Sequence, residues 1–144
     1  MNDIFQLKRF LDAQEVIYPD VVRELKQGRK ESHWMWYIFP QIKGLGKSHI
    51  SQKYALRSLE EASAYVQHPI LGNRLHECTE FVVSIEGNTV EQIFGYPDYL
   101  KFHSSITLFS QVENHNPIFD SALKKYFDHQ KEQLTLDVLN TSSD

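Results

Sequence analysis

The side chains of this chain that could do chemistry crowd into two short stretches, and the first runs from Arg29 to Ser51. It holds both tryptophans, Trp34 and Trp36, next to His33, with Gln41, Gly44, Gly46, Ser48 and Ser51 following. An imidazole titrates near neutrality, so His33 is the candidate acid or base. Either indole could form a stacking wall for a ring-shaped ligand, and the Gln41 amide could orient it. Gly44 and Gly46 permit a tight turn whose N–H groups converge on an anion, with Ser48 or Ser51 near a helix N-terminus suited to phosphate. The same residues equally suit plain roles: Trp34, Trp36, Tyr37 and Phe39 as core packing, and a glycine turn followed by an ordinary serine N-cap. In both cases the polar flanks need partners, whether each other, backbone or a ligand.

The second stretch spans Gly95 to Phe109 and puts Lys101, Ser104, Ser105 and Thr107 on one apolar helix. Serines inside such a helix weaken it unless they bond back to the preceding turn or face something polar. Lys101 shares a face with Ser104, and Ser105 lies one turn on. The set could bind a phosphate or carboxylate; alternatively, small serines allow close helix packing while Lys101 reaches solvent. Asp98, just after Pro97, complements the helix dipole.

Other chemistries fail on spacing. Gly46-Lys47-Ser48 matches the end of a phosphate-binding loop, but that motif needs a glycine where Gln41 stands, and a buried strand upstream. His33 or His103 can be paired on paper with Ser104 or Ser105, yet no oxyanion hole is legible. The histidines include no His-Glu-x-x-His and His76 beside Cys78 is not a zinc ligand set, so neither a metal nor a cofactor is expected. Glu60, Glu61, Glu77 and Glu80 are expected to face solvent, which leaves paired-carboxylate chemistry unsupported.

These groups must be positioned by a fold, and composition bounds it. The chain has 144 residues, 41% hydrophobic and 24% charged, which excludes disordered, collagenous and mucin-like classes. A single domain of this size buries roughly two thirds of its unfolded surface and needs no staples. The lone Cys78 cannot form an internal bridge, so a reducing cytoplasm is the expected location. No apolar run approaches the roughly 20 residues of a membrane span, and the N-terminus lacks the pattern of a signal peptide. A net charge of -4 argues against a broad nucleic-acid footprint, though not against a local basic pocket.

Local signals predict helices joined by short turns. Asp3 is placed to cap a helix bearing Ile4, Leu7, Phe10 and Leu11, and Pro19 to open a second that Gly28 ends. Ser32 is placed to cap a short helix from His33 to Phe39, stopped by Pro40. Ser58-Leu59-Glu60-Glu61 and Thr89-Val90-Glu91-Gln92 are capping boxes. Leu71, Leu75, Cys78, Val82 and Ile85 line one face of a core helix after Pro69, and further helices follow Pro97 and Pro117. Leu134 to Leu139 is assigned a last short helix, because a lone terminal strand would lack a partner. The expected fold is all-α, a single-domain bundle of about seven to eight short helices over residues 1–139, with a frayed polar tail over 140–144.

At the two stretches the chain resembles a bacterial and fungal domain-of-unknown-function family often labelled calpastatin-like. The resemblance rests on His33-Trp34-Met35-Trp36, Ile38-Phe39-Pro40-Gln41, Gly44-Leu45-Gly46, Ser48, Ser51 and Tyr54-Ala55. His68-Pro69, Leu71-Gly72, Ile93-Phe94-Gly95, Pro97-Asp98, Lys101-Phe102 and Ser104-Ser105 continue it in order. It implies a small helical domain and no established reaction. Calpain inhibition, which the label implies, belongs to disordered segments, unlike this composition. A weaker likeness, on Ala13-Gln14 and on His68-Pro69 with Leu71 and Leu75, is to the helical NADAR family, which implies N-glycosidic chemistry on ADP-ribose-type or riboflavin-pathway compounds. No glutamate of this chain matches that family's, so the likeness points only to nucleotide-like ligands.

The expectation is therefore a pocket between the His33–Ser51 segment and the helix bearing Lys101 to Thr107, binding a small anionic or nucleotide-like molecule. In it His33 is the acid or base, Trp34 or Trp36 the wall, Gln41 the orienting amide, and Ser48, Ser51, Lys101, Ser104, Ser105 and Thr107 the polar contacts. The alternatives are a protein-interaction module whose aromatic segment is exposed, and an N-glycosidase or nucleotide hydrolase.

Overall fold

The computed structural model describes residues 3–142, which form nine helices and no strand longer than an isolated bridge. The all-α expectation holds, but the helix count is higher than seven to eight. Two expected helices merge, while single-turn helices form where the sequence suggests only one capped segment or a turn.

Helix α1 (Lys8–Lys26) runs straight through Pro19. Proline removes one N–H, but Glu15, whose carbonyl loses its partner, is exposed and open to water. The buried Phe10, Gln14, Val21 and Leu25 continue one face across the proline, so burial outweighs the missing bond. The Asp3 carboxylate does accept backbone donors, from Leu7 at 2.7 Å and Lys8 at 2.9 Å, so the helix begins after Leu7 and Ile4 stays exposed.

Helix α2 (Met35–Ile38) is also shorter than expected and is not capped by Ser32. The Ser32 hydroxyl and N–H both donate to Glu24, at 2.5 and 2.8 Å, which holds Ser32 two residues ahead of Trp34, the residue at the N-cap. Helix α3 (His49–Lys53) is capped by Ser48, and α4 (Leu59–Gln67) by Ser58. Glu61 departs from its expected place at the surface. It is fully buried, accepting from Arg9 Nη2 at 2.8 Å and from Arg57 Nε at 3.3 Å and its backbone N–H at 2.9 Å. Two guanidinium groups make that burial tolerable.

Helix α5 (Leu71–Ser84) buries Leu71, Leu75, Cys78 and Val82, and α6 (Val90–Phe94) begins with the complete Thr89–Gln92 capping box. Helix α7 (Asp98–Ser110) is the centre of the molecule. Every residue from Ser104 to Ser110 is buried, and α7 packs against α2, α4, α6, α8 (Pro117–Phe127) and α9 (Gln133–Ser142). Phe102 stacks on Phe94 at 4.7 Å and meets Phe39 edge-on at 5.0 Å, which fixes the start of α7 against α2 and α6. Helix α9 stays helical beyond Leu139 to Ser142; Ser143 and Asp144, part of the expected tail, lie outside the described residues.

One local feature positions the site. Leu56 donates to the Gln41 carbonyl at 2.8 Å, and Lys43 to the Leu56 carbonyl at 2.7 Å, pinching off a loop that carries Gly44, Gly46, Ser48 and α3. Among the described residues no helix is long and apolar enough to cross a membrane.

Candidate functional site

Between that pinched loop, the first turns of α7 and the start of α9 lies a cavity of about 420 Å³. Trp36, Gln41, Ser48, Ser51, Lys101 and Ser104 line it, together with Leu45, Pro97, Leu100, Leu134, Lys47 and Glu132. Six residues singled out by type and spacing are thus brought to one space by two separate parts of the chain, and the start of α9 adds Glu132 and Leu134.

Lys101 is the charge at its centre. Its Nζ stands 4.5 Å from the centroid of the Trp36 ring and 3.4 Å from Asp98 Oδ1. The second Asp98 oxygen is taken by Lys30 Nζ at 2.8 Å, and Lys30, with a side chain only 7% exposed, also donates to the Ser32 carbonyl. One carboxylate therefore serves two ammonium groups, and the trio carries a net positive charge. Trp36 Nε1 is buried and has no hydrogen-bond partner among the described residues. An unpaired buried donor at a cavity wall costs free energy until something accepts from it.

Glu132 also lines the cavity, with both carboxylate oxygens already accepting hydrogen bonds. Its Oε1 accepts from Ser104 Oγ at 2.8 Å, Thr135 Oγ1 at 2.7 Å and the Thr135 N–H at 3.2 Å, and its Oε2 from the Leu134 N–H at 2.5 Å. The carboxylate thereby caps α9 and ties it to α7. Ser104 gives its proton to Glu132 or to the Leu100 carbonyl at 3.1 Å, so towards the cavity it presents lone pairs. Ser51 likewise donates to the Ser48 carbonyl at 2.9 Å, and Ser48 Oγ to Ser51 Oγ at 2.9 Å. Gly46 is required by closeness: a Cβ there would sit 2.5 Å from Ser51 Oγ.

The remaining expected site residues lie elsewhere. His33 is exposed and does not line the cavity. Trp34 is fully buried and donates from Nε1 to Glu24 at 2.9 Å. Ser105 faces the core with its hydroxyl unpartnered among the described residues, and Thr107 Oγ1 accepts the Glu132 N–H at 2.9 Å. The paper pairing of His103 with a neighbouring serine does not assemble. Its Nε2 faces the Gln130 carbonyl at 2.7 Å, its ring stacks on Phe127 at 3.8 Å, and burial holds its pKa down.

Two acids missing from the expected set prove central to the geometry. Glu24, with no exposed surface, accepts from the N–H groups of Glu31 and Ser32, the Ser32 hydroxyl and the Trp34 indole. Burial pushes its pKa up, but these donors outweigh it and hold the carboxyl down at about 2. Glu24 thus sets the course of the loop that delivers Lys30 to Asp98. Glu132 escaped notice because glutamate is not a favoured N-cap and its partners Ser104 and Thr107 are more than twenty residues away.

The fold is that of a small helical protein, and the cavity is lined by both polar and apolar side chains. A family model described as "Protein of unknown function (DUF1810)" matches residues 4–139, and the chain belongs to that family. The match carries neither a calpastatin relationship nor a NADAR one. In structure the chain is similar to the conserved hypothetical protein Rv1873 from Mycobacterium tuberculosis, known from a crystal structure, at 48% identity and a TM-score of 0.94 over 96% of this chain and 99% of that one. No curated protein matches.

Proposed function

We propose that the cavity between the pinched loop, α7 and α9 binds a small ligand that carries an anionic group, hydroxyls and an apolar ring, the chemistry of a nucleotide-like molecule. The carrying observation is the Lys101 ammonium, held on Trp36 beside an Asp98 whose charge Lys30 already meets. An anion there finds a positive charge without displacing an ion pair. Ser51 and Ser104, with their protons committed inward, accept from ligand hydroxyls, and the buried Trp36 N–H supplies a donor. Because Lys101 covers the Trp36 ring, the ligand's own ring packs on Leu45, Leu100 and Leu134. A volume of about 420 Å³ is in the range of small-molecule sites.

Binding is favoured over turnover, because the one carboxylate on the wall, Glu132, already accepts four hydrogen bonds. A specific observation supports the interaction-module alternative: Leu100 and Leu134, which line the cavity, are 44% and 64% exposed.

A thermal-shift panel of NAD, ADP-ribose, nucleotides, sugar phosphates and flavin precursors tests the proposal. A ligand at one hundred times its dissociation constant adds about 2.7 kcal/mol, which moves the melting temperature by several degrees. Lys101→Ala is expected to weaken the hit about tenfold or more while leaving the unliganded melt nearly unchanged. Silence across the panel would sink the ligand proposal and leave the apolar mouth as a partner surface.

A further inference from the structure

On the far side of α3 the structure holds a second, smaller cavity of about 120 Å³, lined by Gln6, Arg9, Lys43, Gln52, Lys53 and Arg57 with Ala55. Four cationic side chains meet there on a chain whose net charge is -4, and no carboxylate is among the lining residues. Two acids stand close by: Glu61, fully buried and held by Arg9 and Arg57 together, and Asp3, whose carboxylate accepts the Leu7 and Lys8 N–H groups. Two negative charges thus stand against four positive ones. Such crowding is unfavourable in the empty protein and becomes favourable when an anion enters.

The cluster is built rather than a chance meeting of surface lysines. Arg9 is 15% exposed and spends all its donors on the protein. Its Nε binds the Lys53 carbonyl at 2.9 Å, Nη1 the Phe5 and Gln6 carbonyls, and Nη2 the Ala55 carbonyl at 3.0 Å and Glu61 at 2.8 Å. This single guanidinium rivets the start of α1 to the end of α3 and so fixes the backbone from which Lys53 and Arg57 extend. Gln6 is held there in a left-handed conformation, φ +55°, a strained state for a residue with a side chain. By contrast Lys43 Nζ and the terminal Arg57 nitrogens have no hydrogen-bond partner among the described residues, and Lys53 has only the Tyr54 ring at 5.4 Å. A rigid base with free donors at its rim is the construction an oxyanion site needs.

We propose that this cavity is a second anion site, independent of the Lys101 cleft, that takes one phosphoryl group of a small molecule. Its volume of about 120 Å³ has room for a phosphate group. The acidic surface elsewhere opposes an extended nucleic-acid track.

Titration with inorganic pyrophosphate, followed calorimetrically on the full chain, tests this. Saturable binding is expected, weakened about tenfold or more in the Lys43→Ala/Lys53→Ala variant, restored in large part by Lys43→Arg/Lys53→Arg, and unchanged in Lys124→Ala, an exposed lysine that lines neither cavity. Neither lysine side chain holds the fold together, so both double variants should melt like the parent. Loss of binding in Lys101→Ala but not in the lysine-pair variant would place the anion in the larger cleft and overturn the proposal. So would the absence of saturation at millimolar pyrophosphate, or binding by a single-stranded oligonucleotide alone.

Discussion

Glu24→Ala is expected to destabilise the protein by about 3–5 kcal/mol, a fall of about 10–15 °C in melting temperature for a chain of this length. The substitution strands four donors at once: the N–H groups of Glu31 and Ser32, the Ser32 hydroxyl and the fully buried Trp34 indole. Glu24→Gln keeps one acceptor oxygen but loses the charge, and should fall between the two. The carboxylate also sets a pH dependence. Its pKa is about 2 in the fold against an ordinary value of 4.5, so its contribution is fully present above pH 4.5 and is lost as pH falls through 2. The difference corresponds to about 3 kcal/mol. Urea melts of parent and Glu24→Gln between pH 6 and pH 2.5 check it: the two stabilities should converge on acidification, and parallel curves would refute the assignment. Since the same loop carries Lys30 to Asp98, Glu24→Gln should also weaken any ligand that depends on Lys101, even though Glu24 does not line the cleft.

Gly72→Ala is expected to cost about 3 kcal/mol or more, enough to drive much of the protein into the insoluble fraction. The sign is the unusual part. Glycine to alanine within a helix ordinarily stabilises by about 1 kcal/mol. At Gly72, near the start of α5, a Cβ would lie 1.9 Å from the Val66 carbonyl oxygen and 2.8 Å from its carbon. That obstacle is backbone in the last turn of α4, which cannot rotate aside as a side chain could. The α4–α5 corner would have to open, and α5 is the helix on which α1, α4 and α8 all pack. Circular dichroism melts of Gly72→Ala and Gly72→Ser give the measurement; a variant as stable as the parent would mean that the corner relaxes far more freely than its packing suggests.

Much of the architecture was legible because its signals are local. The Ser58 and Thr89 caps, the apolar face of α5 and the helix after Pro117 each depend on residues within four positions of one another, and each appears where expected. Pro19 misled because the rule it invokes concerns one hydrogen bond, whereas the continuity of α1 is decided by Phe10, Val21 and Leu25 meeting α5 and the rest of the core. Ser32 misled for a related reason: its better partner, Glu24, approaches from the preceding helix. Glu61 carries a helix-surface residue type and looks exposed until Arg9 is folded against it across fifty-two residues of chain.

The cleft divides in the same way. Trp36, Gln41, Ser48, Ser51, Lys101 and Ser104 could be nominated from composition and spacing, since polar groups beside aromatic runs need partners wherever they end up. His33 and Trp34 belong to the same run but part company with Trp36: both precede α2, where the bond from the Trp34 indole to Glu24 holds Trp34 in the core while His33 stays exposed.

From its amino acids alone this chain is all-helical, with two polar-aromatic stretches that burial must bring into contact with something. That much follows from periodicity and capping, which are properties of neighbours. Only the tertiary structure decides that the two stretches face each other across a 420 Å³ space, that Lys30 meets the Asp98 charge beside Lys101, and that Glu132 arrives from a third segment to close the wall. Those outcomes depend on which distant side chains a buried charge or hydrogen bond finds on folding, and electrostatics at a few ångströms leaves no periodic trace along the chain.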